Sequence, residues 1–433
     1  MDCRKLNIVF VCLAFALARP GISLAMEHDT IRMMQYNLMY YTNNSGVSDC
    51  NSVTNSLDSK DANIRTIFQY VRPDVFCVCE MGSSNEYADR LLNNVLNTDG
   101  ASYYRRCPLT NQSGGYIANM LYYDSRRFSF HSNHTITTPY RDINGYKMYY
   151  NSTGLAQGDT VFITFWIAHL KAGNSADNED IRHAQVNRLM NKIMQIGEPG
   201  NNIFSGDFNF YSSDESGYKE LVEYQNSLYR FYDPINRPGH WHANSQFSDI
   251  HTQSTRTSSE GCFSTGGLDD RFDIILASPY VYFGSSRVGI IENSYHALGQ
   301  DGMRYNGSIV APANNSIPSH VATALYNQSD HLPVIMDLYI DATVGVGDRN
   351  NGFFVNVVNP VDKTLTIELH NDKEDSYMIE IYTVDGRIAS RSAEWLGSGL
   401  HTLKYPLHVS RGMYILVVRD SEGKRATKKI ISQ

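Results

Sequence analysis

Long apolar runs are scarce in this chain of 433 residues. Beyond the first 25 positions nothing approaches the roughly 18 consecutive apolar residues of a membrane span, so the sequence offers no stable helical crossing. An excess of positive charge is also missing. The formal net charge is -8, which leaves no global basic field to draw in a polyanion; any phosphate-bearing partner has to be held by local groups or a metal ion. Charged residues make up only 19% and hydrophobic ones 42%, a balance that excludes a disordered chain. Cysteine is sparse, and no Cys-x-x-Cys pattern marks a zinc site.

What is present begins with an address. Residues 1–25 read as a secretory signal peptide: Arg4 and Lys5, an apolar stretch at 8–18, and Ser23-Leu24-Ala25 as a small-x-small cleavage site. Of seven cysteines, Cys3 and Cys12 leave with that segment. Cys50, Cys77, Cys79, Cys107 and Cys262 remain, room for a disulfide in an exported protein whose partners the sequence does not choose. Cys77 and Cys79 lie two apart in a strand-like run, face one side and read as core.

The length suggests two domains. From 29 to 341, apolar strand-like runs (31–36, 74–79, 161–168, 202–205, 272–276, 332–338) alternate with helical or loop segments. Residues 62–71 and 181–196 have helical spacing, and Pro73 stops the first. This mixture predicts an α/β region of two face-to-face sheets with helices outside. A Gly- and Asn-rich linker is expected at 342–352. Residues 353–433 then hold only short strands and turns, among them the hairpin signal Asp385-Gly386, and predict a small all-β sandwich.

Polar residues recur at the ends of these runs: Asn37, Glu80, His169, Asp207 and Asn209, Asp273, and Asp330 with His331. Such groups gathered at one end of a sheet sandwich converge in one pocket. Glu80, Asn37 and Asp330 offer oxygens to a hard cation, Mg²⁺ first, with Mn²⁺ or Ca²⁺ as alternatives. His331 suits the task of activating a water, and Asp273 that of orienting it. Asp207 and Asn209, two apart, project to one side of an extended segment to orient the water and bind a phosphate oxygen. His169 would donate to the phosphate or the leaving group. The loop 233–267 carries Trp241, His242, Gln253 and Arg256, groups that suit phosphate grip and base stacking. His240 and His242 read as loop residues near the substrate mouth rather than a zinc pair. Aromatic residues at 279–283 would reach a membrane if they formed an exposed hairpin, or would form a core strand.

In this order, Asn37, Glu80, His169-Leu170-Lys171-Ala172-Gly173, Gly206-Asp207-Phe208-Asn209, Arg271-Phe272-Asp273 and Ser329-Asp330-His331 resemble the successive motifs of the endonuclease/exonuclease/phosphatase superfamily. The resemblance implies a four-layer α/β/β/α sandwich and Mg²⁺-dependent hydrolysis of phosphoesters, with nuclease or related phosphodiesterase action ahead of sphingomyelinase-like or phosphomonoesterase action. It implies Glu80 as principal metal ligand with Asn37 and Asp330 nearby, Asp273–His331 as catalytic dyad, His169 as second histidine, and Asp207 with Asn209 about the nucleophile. Many members carry Gln before the metal-binding Glu, where this chain has Cys79. Tyr116, Asn119 and Arg182 are candidates for phosphate contacts. Asn359-Pro360, residues 381–387 and 412–418 and the closing Lys428-Lys429-Ile430-Ile431-Ser432 resemble the sorting domain of type IX secretion substrates. That likeness implies export to the surface or medium, with the secretion machinery as partner beside a nucleic acid or other phosphodiester substrate.

Overall fold

The computed structural model describes residues 28–43, 46, 50–153, 155, 160–341, 353–357, 361, 363–371 and 373–432. The expected signal peptide at 1–25 and the expected linker at 342–352 lie outside the described residues.

Two mixed sheets carry the larger part of the chain. The first contains β1 (His28–Tyr41), β2 (Val75–Gly82), β3 (Tyr104–Arg106) and β4 (Ile117–Asp124). The second is formed by β5 (Phe128–Ile136), β6 (Ile143–Tyr150), β7 (Phe162–His169), β8 (Asn202–Asp207) and β9 (Asp273–Ala277), in that order. The chain then returns to the first sheet with β10 (Val288–Ile290), β11 (His296–Ala297) and β12 (Val334–Asp341), giving the order β10-β12-β1-β2-β4-β3 with β11 beside β12. β2 and β4 are buried along their whole length, as strands covered on both faces must be.

One core lies between the sheets and continues outward under α1 (Leu57–Val71). A second separates the outer face of the second sheet from α3 (Ala176–Ile196) and α4 (Ser216–Val222). Among the described residues α2 (Asn85–Leu91), α5 (Pro279–Tyr282) and α6 (Ser319–Gln328) are further short α-helices, α6 packing on α1. The layering is helix, sheet, sheet, helix, as expected.

Both expected helices begin earlier than their apolar periodicity. In α1 the buried face includes Leu57, Lys60 and Asp61, and the two charges hide the stripe. In α3 the first turn is acidic and polar, Ser175 capping Asn178 N–H and Asp177 and Glu179 following, residues that favour a helix start without adding apolar signal. The strands β3 to β6 carry too many Asn, Tyr and Ser residues to stand out as apolar runs. Residues 279–283 form neither a strand nor an exposed hairpin. Pro279–Tyr282 is a single helical turn with Pro279, Tyr280 and Val281 buried, which corrects the membrane-reaching expectation.

The C-terminal part pairs β13 (Phe353–Val357), β14 (Thr364–Asn371) and β17 (Gly399–Pro406) in one sheet. β15 (Asp375–Thr383), β16 (Ile388–Leu396), β18 (Gly412–Arg419) and β19 (Arg425–Ser432) form the other. Alternate residues such as Leu365, Ile367, Leu369, Ile379, Ile381, Leu416 and Val418 meet in its core. β16, with polar residues facing out along most of its length, was not foreseen.

Candidate active site

Register places the polar residues before any side chain is considered. Across parallel β7 and β8, His169 stands opposite Asp207; across antiparallel β8 and β9, Asp207 stands opposite Asp273. Directly paired residues share a face of a sheet, so three candidate side chains line one sheet edge. On the other sheet Asn37 of β1 pairs with Cys79 of β2, and Glu80 follows. Gly206 makes the close approach of β8 to β7 feasible: a Cβ there would lie 1.8 Å from Ala168 O, an impossible contact.

Two serine bonds bring the last motif in. Ser329 Oγ donates to Asn37 O (2.8 Å) and accepts from His331 N–H (3.1 Å). Lys60 Nζ, buried, donates to Leu38 O (2.9 Å) and Gln328 O (2.8 Å), joining α1 to both segments. Backbone strain collects here as well: Met39, Tyr40, Glu80 and Asn209 have φ of 46°, 50°, 57° and 53°, a left-handed region that non-glycine residues rarely adopt.

The side chains converge. His331 Nδ1 lies 2.7 Å from Asp273 Oδ2, and His331 Nε2 lies 3.6 Å from Asp207 Oδ2. His169 Nε2 is 3.4 Å from Asp207 Oδ2 and its Nδ1 3.6 Å from Glu80 Oε1. Asn37 Nδ2 donates to Asp207 Oδ2 (2.9 Å) and Glu80 Oε1 (3.1 Å), while its Oδ1 accepts from Met39 N–H (2.9 Å). Asn209 Nδ2 donates to Asp207 Oδ1 (2.8 Å). The two meet through the turn at Asn209, not along an extended segment. Asp330 Oδ2 accepts from Ser264 N–H (3.1 Å) and Gln253 Nε2 (3.3 Å), and the same Gln253 nitrogen lies 2.8 Å from His331 Nε2.

Electrostatics follow from crowding carboxylates in a buried pocket. Burial, then Asp330, raises Glu80. Burial pushes the Asp207 carboxyl up to about 7; His331 opposes that shift, while Asp273 and Glu80 add to it. Burial opposes charge on His331, but Asp273, Asp207 and Asp330 outweigh it and hold the imidazolium well above its usual range. His169 is driven well below its usual value by burial, then by Arg141 and His331. It is therefore a neutral hydrogen-bonding group.

Glu80, His169 and Asp207 offer ligand atoms that all lie within 4.8 Å of one another. His169 Nδ1 is buried without a hydrogen-bond partner. A carboxylate majority, with Asp330 close by, fits a hard divalent cation. Asn37, expected as an oxygen ligand, faces these carboxylates with its N–H₂ group.

Other expected contacts fall elsewhere. Arg182 is buried and committed to Glu215 (2.7 Å), Lys171 O and Gly173 O. Asn119 is buried beneath the cleft, on Asp142 O and Asn144. Trp241 is 0% exposed and donates to Arg237 O, leaving no face for a base. Arg256 is sandwiched by Phe263 and Tyr326. Arg182 lies on the buried face of α3 and Asn119 within β4, while Trp241 and Arg256 lie in loop-rich stretches; in all four, burial comes from partners distant in sequence. Tyr116 does reach the rim, stacked on Tyr40 with centroids 6.4 Å apart.

Arg141 is the residue sequence reasoning missed. Its charge acts on both Glu80 and His169, Nη2 donates to Leu170 O (3.3 Å) and Nε is buried without a partner. A lone arginine in a turn before β6 carries no motif. Beside it, half-exposed Tyr140 lies under Lys171 Nζ, 5.5 Å from the ring centroid.

Among solved structures, the chain is similar to the human Nocturnin catalytic domain (16% identity, covering 72% of this chain and 97% of that one, TM-score 0.43). It is similar to endonuclease/exonuclease/phosphatase proteins from Beutenbergia cavernae (16%, 92% and 99%, 0.40) and Bacteroides vulgatus (14%, 72% and 99%, 0.44). No curated protein matches. Residues 359–433 match the family described as the secretion system C-terminal sorting domain. The protein is accordingly secreted or displayed at the cell surface. Among the described residues no helix is long and apolar enough to cross a membrane.

Proposed function

We propose that the protein is an exported, divalent-metal-dependent phosphodiester hydrolase acting on nucleic acid. The observation that carries this reading is the Asp273–His331 pair, at 2.7 Å, opening onto Asp207, His169 and Glu80 in one buried pocket. A water attacking phosphorus must lose a proton. The neutral form of His331 accepts it at Nε2 while Asp273 holds Nδ1–H and stabilises the imidazolium that forms; a cation beside Asp207 and Asp330 would offset the carboxylate charge that otherwise keeps this ring protonated. Asp207 and Asn209, bonded to each other, orient that water. Neutral His169 and Arg141 donate to the phosphoryl oxygens, where negative charge grows. Glu80, with Asp330 and Asp207 near it, would hold Mg²⁺, which supplies charge neutralisation at those oxygens. Asn37 braces Glu80 against Asp207.

The substrate class rests on the rim. Tyr116 and Tyr140 are 47% and 43% exposed beside Arg141 and Lys171, and exposed aromatics interleaved with cations suit stacked bases and phosphates. The lipid reading needs an exposed aromatic hairpin, and residues 279–281 are buried. The deciding assay incubates purified protein with DNA, RNA, sphingomyelin and inositol phosphates, with Mg²⁺ or EDTA. Cleavage of DNA or RNA abolished by EDTA is expected. Intact nucleic acid with phosphate released from monoesters would overturn it.

A further inference from the structure

The chemistry above leaves His242 and Asp270 without a task. Their geometry is built rather than incidental. Trp241 and His242 N–H both donate to Tyr211 O (3.1 Å each), and Ala243 N–H donates to Asp269 O (2.9 Å). Ala243 adopts φ 49°, a left-handed conformation that a non-glycine residue holds only under constraint. This backbone seats His242 Nδ1 at 2.7 Å from Asp270 Oδ1 and edge-on to the Tyr211 ring, centroids 5.1 Å apart. The imidazole is 45% exposed, whereas the Asp270 side chain is 12% exposed. A surface ion pair would leave both ends wet. Here the carboxylate is sunk and the imidazole tip is presented.

Its place relative to the reacting groups follows from strand order. In the second sheet β6, β7, β8 and β9 are neighbours. Arg141 precedes β6, His169 ends β7, Asp207 ends β8, and Asp270 stands three residues before β9 begins at Asp273. All four lie at one sheet edge, with Arg141 and His242–Asp270 flanking the central groups on opposite sides. Gln253 closes the gap on the second side. Its backbone N–H donates to Asp270 O (3.1 Å) while its side chain reaches His331.

A terminal phosphate needs one flank only; a strand running through the cleft needs both. We propose that His242, oriented by Asp270, binds a phosphate oxygen of the nucleotide next to the scissile bond on the β9 side, so that the site takes an extended nucleic-acid strand rather than a chain end. This rests on the phosphodiester reading above and adds a second subsite to it. With Nδ1 committed to the carboxylate, the ring presents Nε2 toward the cleft, and in its imidazolium form Nε2–H donates to the phosphate, a charge-assisted bond. Asp270 keeps the ring from turning away.

The test uses the full-length protein and oligothymidylates from two to eight nucleotides. His242→Ala is expected to raise KM for the longer oligomers about 10-fold or more, the loss of one hydrogen bond to a charged group, with kcat within about twofold. Asp270→Asn is expected to give part of the same rise. KM within twofold of the parent at every length would overturn the subsite, as would a fall in kcat with KM unchanged. A second measurement needs no turnover. In EDTA, tetrathymidylate is titrated while the His242 imidazole signal, assigned by its loss in His242→Ala, is followed by NMR. Movement of that signal supports the subsite, and an unmoved signal overturns it. If the parent cuts no oligonucleotide, the proposed function fails by itself, and the titration still decides the subsite.

Discussion

At the scale of single residues, the pocket sets four carboxylates against one imidazolium, one neutral imidazole and the nearby Arg141. His331 is the group whose loss should be felt most in turnover. His331→Ala removes the cation that Asp273, Asp207 and Asp330 surround, and a drop in kcat of ~10²–10⁴ with a lowered unfolding temperature is the expected result, the protein remaining folded at the assay temperature. Asp273→Asn should approach the same loss, because the amide no longer selects the tautomer with Nδ1 protonated. Glu80→Gln should weaken Mg²⁺ binding in a calorimetric titration, with activity partly restored by excess metal. Asp207 makes a prediction about pH. An unfolded carboxyl titrates at about 3.9, and burial holds this one up to about 7. The fold therefore binds that proton more tightly than the unfolded chain does. Stability from Asp207 is present in full below about pH 4 and is lost as pH rises through 7. Thermal unfolding in EDTA should show this decline, and Asp207→Asn should flatten it; equal slopes in the two proteins would refute the assignment.

At the scale of elements, the site depends on segments that the strands alone do not hold. The stretch carrying Gln253 and Ser264 supplies the N–H donors to Asp330, and Cys262 within it is bridged to Cys50, 212 residues away in sequence. Cys77, Cys79 and Cys107 are free and buried, and burial raises the Cys77 thiol to about 12, so they do not compete for that pairing. Closing so long a loop limits the unfolded chain by up to about 5 kcal/mol in the chain-entropy view. The double change Cys50→Ser, Cys262→Ser is expected to lower the unfolding temperature and to weaken Mg²⁺ binding through a loosened Asp330. Lowered stability with unchanged metal affinity would show that the bridge serves the fold alone. The same scale explains which elements were legible. The apolar runs of β1, β2, β7, β8, β9 and β12 announce themselves, and each carries a site residue at or near its end. β3 to β6 do not, because Asn119, Asn144 and their neighbours satisfy their polar groups by contacts between strands that no local window contains.

At the scale of the whole molecule, an α/β/β/α sandwich is joined to a sorting tail that addresses it outward. The tail's core is its own, and none of the site residues named above belongs to it. A chain ended after Asp341 should therefore retain kcat/KM on oligonucleotides within about twofold while failing to appear in the medium or at the surface. Loss of activity on truncation would mean that the tail supports the site. The sequence by itself determined the order of strand-end polar residues, the two-part architecture and the address, because these depend on apolar periodicity and on short motifs read locally. Only the tertiary structure decided that Arg141 joins the site and Arg182 does not, that Trp241 is core, that Cys50 meets Cys262, and that Asn37 faces the carboxylates with its nitrogen. Those outcomes turn on which buried polar group finds a partner across the chain, and that accounting closes only when every strand and loop is in place.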